Sequence, residues 1–214
     1  KTQTIKDGTV DNTHTATVGL AIQRSGGTGI CSGTLIAQNV VLTARHCVSD
    51  TSGGRGIQCG ETEITSDFDA SSIRVTTETQ MTDDPPYQGE ELYLPDGTEL
   101  CGRDIALLEL SQPIPMAEAE PLSPRLGSKV SQGEAVTARG YGADGTERRS
   151  SGIRREIDGR LVDCVGVNCP NDYVKSAEFV TDGGACQGDS GGGVYAGNGQ
   201  VVGIASRADR QCTY

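Results

Sequence analysis

The sequence predicts an all-β protein, arranged as a sandwich or as barrels. Three observations carry that reading. Apolar residues come in short runs of strand length, each bounded by Gly, Ser, Asn or Pro. No helical periodicity persists over three turns, and no internal repeat is visible. The 214 residues include 30 Gly, six Tyr and two Phe but no Trp, a small-residue composition suited to many turns.

In chain order, "TVGLAIQ" (17–23) alternates, with Val18, Leu20 and Ile22 on one face. "CSGTLI" (31–36) and "VVLT" (40–43) follow closely. "DIALLEL" (104–110) and "QVVGIAS" (200–206) are continuous apolar runs that read as buried strands. Two segments read as excursions from the sheet: the Pro-rich, acidic stretch 81–99, and the loop-like "GADGTERRSSG" (142–152). A boundary near "SQPIPMAEAEPL" divides the chain into similar halves, 1–115 and 116–214, a length that suits one large domain or two small ones.

The net charge is −11, from 29 acidic and 18 basic residues. Such a surface favours solubility and argues against a nucleic-acid or anionic-membrane partner. No apolar run approaches the roughly 18 residues of a membrane span, and the polar start "KTQTIKDGTV" is not a signal peptide, so any targeting segment is expected to have been removed. The eight Cys (31, 47, 59, 101, 164, 169, 186, 212) are spread over the chain without the paired CxxC spacing of a zinc site. They read as four disulfides, which places the protein outside the cytoplasm, secreted or otherwise extracytoplasmic.

The stretch "GGACQGDSGGG" (183–193) sets Ser190 among glycines. A serine nucleophile needs a base, a carboxylate that orients the base, and backbone donors for the oxyanion. The chain has two His. His46, in "LTARHC", follows an apolar strand; His14 sits in polar "DNTHTAT" and reads as a structural or solvated residue. Asp104 opens the strand "DIALLEL", where an unpaired charge would be costly, although a strand-edge Asp facing water is the alternative. "GDSGG" also fits the G-x-S-x-G nucleophile elbow, but that elbow is followed by its acid and its His, and the 24 residues after Ser190 contain no His.

With the order His46, Asp104, Ser190, the motifs "LTARHC", "RDIALLEL" and "CQGDSGGGV", and "GYG" (140–142) where Gly-Trp-Gly is usual, the sequence resembles the trypsin/chymotrypsin family of serine proteases. The resemblance implies two antiparallel β-barrels with the active site in the cleft between them, residues 1–115 carrying His46 and Asp104 and residues 116–214 carrying Ser190. It implies a serine endopeptidase acting on proteins or peptides, with no cofactor. Ser190 attacks, His46 is general base and acid, Asp104 holds the imidazole, and the N–H groups of Gly188 and Ser190 form the oxyanion hole. Cys31–Cys47 and Cys186–Cys212 match family disulfides; Cys59–Cys101 and Cys164–Cys169 follow by elimination. Closing the first loop of about 16 residues is worth roughly 3 kcal/mol.

By the same resemblance Gly184, Gln187, Ser206, Arg207 and Ala208 border the substrate site. Gly184 stands where trypsin-like enzymes carry an Asp, which argues against cleavage after Lys or Arg. Arg207 replaces a usual aromatic residue and either favours an acidic substrate side chain or snorkels into solvent. Family members free an amine at Ile or Val that pairs with the acid before the serine. Here the matches are Ile5 and Asp189, with four residues ahead of Ile5, so a zymogen or an alternative partner for Asp189 is expected. Relatives also continue past Cys212 with a strand and a helix, which raises the expectation of a missing last strand and an associated C-terminal fragment. Calcium at Glu61, Glu63, Asp67 or Asp69 is weighed against plain solvated acids. The competing class is a catalytically silent homologue that binds a protein partner.

Overall fold

The computed structural model describes residues 8–52, 56–143, 151–170 and 173–208. Fourteen strands are present among them: β1 Thr9–Val10, β2 Thr17–Arg24, β3 Gly27–Ala37, β4 Val40–Thr43, β5 Ser49–Thr51, β6 Ile64–Asp67 and β7 Ile73–Thr76. They continue as β8 Tyr87–Tyr93, β9 Ala106–Leu110, β10 Ala135–Gly140, β11 Arg155–Val165, β12 Phe179–Thr181, β13 Gly193–Ala196 and β14 Val201–Ile204. The all-β class is as expected.

Strands β2-β3-β4-β9-β8-β7 close into a barrel. The alternating residues Val18, Leu20 and Ile22 of β2 point into it, where they meet Leu35, Val41, Ile73, Val75 and Leu108, all without solvent exposure. A two-residue turn pairs Arg24 with Gly27 and so sets the β2–β3 register. A one-residue slip would turn the apolar face outward.

The stretch 81–99, expected to leave the sheet, instead contributes β8 between β7 and β9. Its acids hid the strand. Glu90 and Glu91 face solvent while Tyr87 and Gly89 are buried, and a register shift between Gly89 and Glu91 breaks the simple alternation. The 142–152 segment lies mostly outside the described residues.

The second sheet runs β1-β11-β10-β13-β14, with β12 also on β11, and is open among the described residues. Thr9–Val10 belongs to this sheet, pairing with Arg155 and Glu156, although it precedes the barrel in sequence. Strand β11, "REIDGRLVDCV", escaped the sequence reading because its charged residues alternate around a few apolar ones, Ile157 and Val162.

The two sheets meet along Leu42, Tyr195 and Val201. Tyr195 makes the junction specific: its buried hydroxyl lies 2.9 Å from Thr17 Oγ1 and 2.8 Å from Thr34 Oγ1, across the sheet boundary. Hydrogen-bonded in this way, a buried phenol costs little and fixes the relative placement of β13 and the barrel.

Candidate active site at the junction of the two sheets

Strand β4 ends at Thr43 and the chain tightens into a 3-10 turn, Arg45–Cys47. The Cys31–Cys47 disulfide staples that turn to β3. Buried Arg45 holds it from the other side, donating to the carbonyls of Pro95 and Gly97 at 2.7 Å each. His46 is presented on a turn with little freedom.

Asp104 stands two residues ahead of β9 rather than within it, and is almost wholly buried. Its Oδ1 accepts the His46 backbone N–H at 2.9 Å, and its Oδ2 lies 2.8 Å from His46 Nδ1. An ionised carboxylate only accepts, so Nδ1 carries the proton shared with Asp104 and Nε2 is the ring nitrogen turned away from it. Ser206 adds its hydroxyl to Oδ2 at 2.5 Å. Burial pushes the carboxyl up, but the hydrogen bond and charge of His46 and the Ser206 hydroxyl hold it below the usual carboxylate range.

Ser190 lies in the turn leading to β13, half-buried. Its carbonyl accepts the N–H of Ser32 at 2.8 Å. Cys47 Sγ is 3.5 Å from the same oxygen, so the serine turn abuts the histidine turn. The packing leaves no room for a side chain at Gly191, where a Cβ would sit 2.1 Å from Thr43 Oγ1 and 2.3 Å from the Ser32 carbonyl.

The backbone of Gly188 is positioned as tightly. It adopts φ +98°, which L side chains rarely reach, and a Cβ would approach Gly142 Cα to 2.9 Å. Ser32 Oγ donates to the Gly188 carbonyl at 2.9 Å and accepts the Tyr141 N–H at 2.8 Å. The Gln187 carbonyl accepts the Ala143 N–H at 2.7 Å. Because the 187–188 peptide is trans, the Gly188 N–H points away from Ala143.

Asp189 is buried and receives the Gly142 N–H at 2.7 Å and the Cys186 N–H at 2.9 Å. Burial raises its carboxyl to about 7, against those two donors and the positive charge of Arg155. A Cβ at Gly140 or Gly142 would run into this carboxylate at 2.4–2.6 Å, which gives the "GYG" motif a physical reason. Ile5 lies outside the described residues.

Gly184 is buried at φ +116°, with Ile157 and Arg160 beside it. Gln187 and Ala208 are exposed. Arg207 is half-buried, and both its terminal nitrogens bind the Glu178 carboxylate, at 2.8 and 2.7 Å. A surface depression is lined by Thr28, Ile30, Ala143, Ser151, Gln187 and Gly188.

Cys59–Cys101 and Cys164–Cys169 form the expected disulfides. Cys212 lies outside the described residues, and with it the expected pair to Cys186. Glu61, Glu63, Asp67 and Asp69 are all exposed, and Asp67 accepts the Ser49 hydroxyl at 2.6 Å. His14 has its Nδ1 3.0 Å from Asp11 and 3.3 Å from Glu156. Sequence reasoning missed Ser32 and Glu178. A polar residue inside an apolar strand was the one available signal for Ser32.

The Trypsin family model matches residues 5–214. The chain is 26% identical to granzyme M of Rattus norvegicus over 203 residues, 86% of this chain and 71% of that protein. It is 29% identical to scolexin B of Heliothis virescens, over 83% of this chain and 65% of that protein, and 26% identical to brachyurin of Leptuca pugilator, over 82% and 74%. Among solved structures, a scabies mite inactivated protease paralogue, S-I1, superposes with a TM-score of 0.64 at 21% identity, covering 94% of this chain and 88% of that one, and shares its fold. The chain belongs to the trypsin family of serine proteases.

Proposed function

We propose that this chain is a secreted endopeptidase that cleaves protein or peptide substrates with Ser190, His46 and Asp104. The observation that carries the reading is the two-point grip of Asp104 on His46, backbone N–H and Nδ1 together, on a turn packed against the Ser190 loop. His46 Nε2 takes the Ser190 hydroxyl proton as Oγ bonds to the scissile carbonyl carbon. The resulting oxyanion is stabilised by the Gly188 and Ser190 N–H groups. The imidazolium returns its proton to the leaving amine as the C–N bond breaks, and water then repeats the sequence on the acyl-enzyme.

Gly184 supports a preference other than Lys or Arg, since it brings no carboxylate to the pocket. The buried hydrogen bonds of Asp189 to Gly142 and Cys186, together with Ala143 to Gln187, support an ordered oxyanion loop and hence an active form rather than a zymogen. The disulfides support an extracytoplasmic location.

A fluorophosphonate probe tests the reading: it should label the wild-type chain and not Ser190→Ala. Absence of wild-type labelling would overturn it in favour of a binding homologue, and a peptide-library profile dominated by Lys or Arg would overturn the specificity.

A further inference from the structure

Glu178 is 76 residues from Gly102 and 29 from Arg207 in sequence, yet its carboxylate holds both of these segments, which converge on Asp104. Oε1 accepts the Gly102 N–H at 2.7 Å and Arg207 Nη1 at 2.8 Å; Oε2 accepts the Lys175 N–H at 2.8 Å and Arg207 Nη2 at 2.7 Å. Arg207 Nη2 also reaches the Tyr173 carbonyl at 2.5 Å. Gly102 is in the tight turn that delivers Asp104, closed by Arg103 N–H to the Leu100 carbonyl and anchored by Cys59–Cys101. Arg207 follows Ser206, whose hydroxyl is on Asp104. One carboxylate therefore grips both ends of the Ser206–Asp104 hydrogen bond.

We infer that Glu178 and Arg207 form a clasp that positions Asp104 for catalysis, and that the Arg207 guanidinium is spent on this clasp rather than on substrate. The inference rests on the proposed role of Asp104. Its side chains are largely shielded, 16% exposed for Glu178 and 23% for Arg207, and the pair is bidentate, the geometry in which an Arg–carboxylate contact has directional strength. Burial pushes the Glu178 carboxyl up, but Arg207 and the backbone donors of Lys175 and Gly102 hold it below the usual range, so it stays charged. A guanidinium so engaged has little left for an acidic substrate side chain. Loosening either partner frees the Gly102 turn and the Ser206 segment, and Asp104 loses its fixed placement.

The test compares Glu178→Gln, Arg207→Gln and the double variant in the full chain. Each single change should lower kcat about tenfold with KM unchanged, since small misplacements of a catalytic group are costly. The loss should be equal for acidic and neutral peptides, and the double variant should be no worse than either single one. The downfield NMR signal of the His46 Nδ1 proton should shift in all three, a readout independent of turnover. A loss confined to KM for acidic substrates, or unchanged kcat and an unchanged signal in variants that merely unfold more easily, would overturn the clasp. An unlabelled wild-type Ser190 would overturn the catalytic reading instead, while the His46 signal would still decide whether Glu178 acts on Asp104.

Discussion

Asp104 and Asp189 are both buried aspartates within the proposed site, and they behave in opposite ways. Asp104 faces a histidine ring and a serine hydroxyl, which hold it ionised below the usual range. Asp189 faces two backbone N–H groups with Arg155 as its nearby charge, and burial carries it up to about 7. The difference separates two kinds of engineering. The histidine side is built from side chains and is stapled by a disulfide; the proposed oxyanion side is built from backbone, shaped by glycines around a carboxylate. Side-chain chemistry should fail sharply when one atom changes, and backbone shape should fail when volume is added.

The largest expected effect is on the histidine side. Asp104→Asn sets an amide donor where His46 Nδ1 now donates, favouring the tautomer with its proton on Nε2, and kcat should fall about 10⁴-fold. Circular dichroism should remain that of the wild type. A loss below tenfold would break the proposed division of labour. On the oxyanion side Gly188→Val should cost about 10²–10³-fold in kcat, as removal of an oxyanion donor does, because a β-branched residue cannot hold φ +98°. Normal peptidase activity in that variant would remove Gly188 from the site.

The staple sharpens the contrast further. Replacing Cys31 and Cys47 by Ala opens a loop of separation 16 and should lower unfolding stability by about 3 kcal/mol in urea titrations. Turnover should fall with it, because His46 sits inside the stapled turn. A variant with full stability would show that Arg45 and the Pro95 and Gly97 carbonyls suffice to hold the turn.

Side-chain chemistry was far more legible in the sequence than backbone shape. His46, Asp104 and Ser190 could be named because few residue types can serve as base, acid and nucleophile, and their order excluded the nucleophile elbow. Strand β8 was hidden because acids on its outer face resemble a loop when the inner face cannot be seen. Ser32 and Glu178 were hidden for another reason: each acts through hydrogen bonds to backbone groups far away in the chain, at Gly188, Tyr141 and Gly102, and such partners leave no spacing to read. Arg207 stands out in the sequence, but its charge reads as one for substrate or solvent because its partner, Glu178, is 29 residues distant.

The gentlest expected effect is a slope with pH, and it separates the two aspartates directly. Asp189 has a folded pKa of about 7, above the roughly 3.9 of an unfolded Asp, so between those values the folded chain holds more protons. Its contribution to stability is therefore complete below about pH 4 and is lost as pH rises through about 7. Asp104, held low, does the reverse: its contribution is present above about pH 4 and is lost as pH falls through its folded value. Urea unfolding at several pH values between 4 and 7 should show wild-type stability falling relative to Asp189→Asn, by up to about 1.4 kcal/mol per pH unit. The variant is expected to be weaker at the acid end, since its amide cannot accept from both Gly142 and Cys186. The decisive quantity is the difference in slope: parallel profiles would mean that Asp189 titrates normally, and the contrast with Asp104 would then come from glycine packing alone.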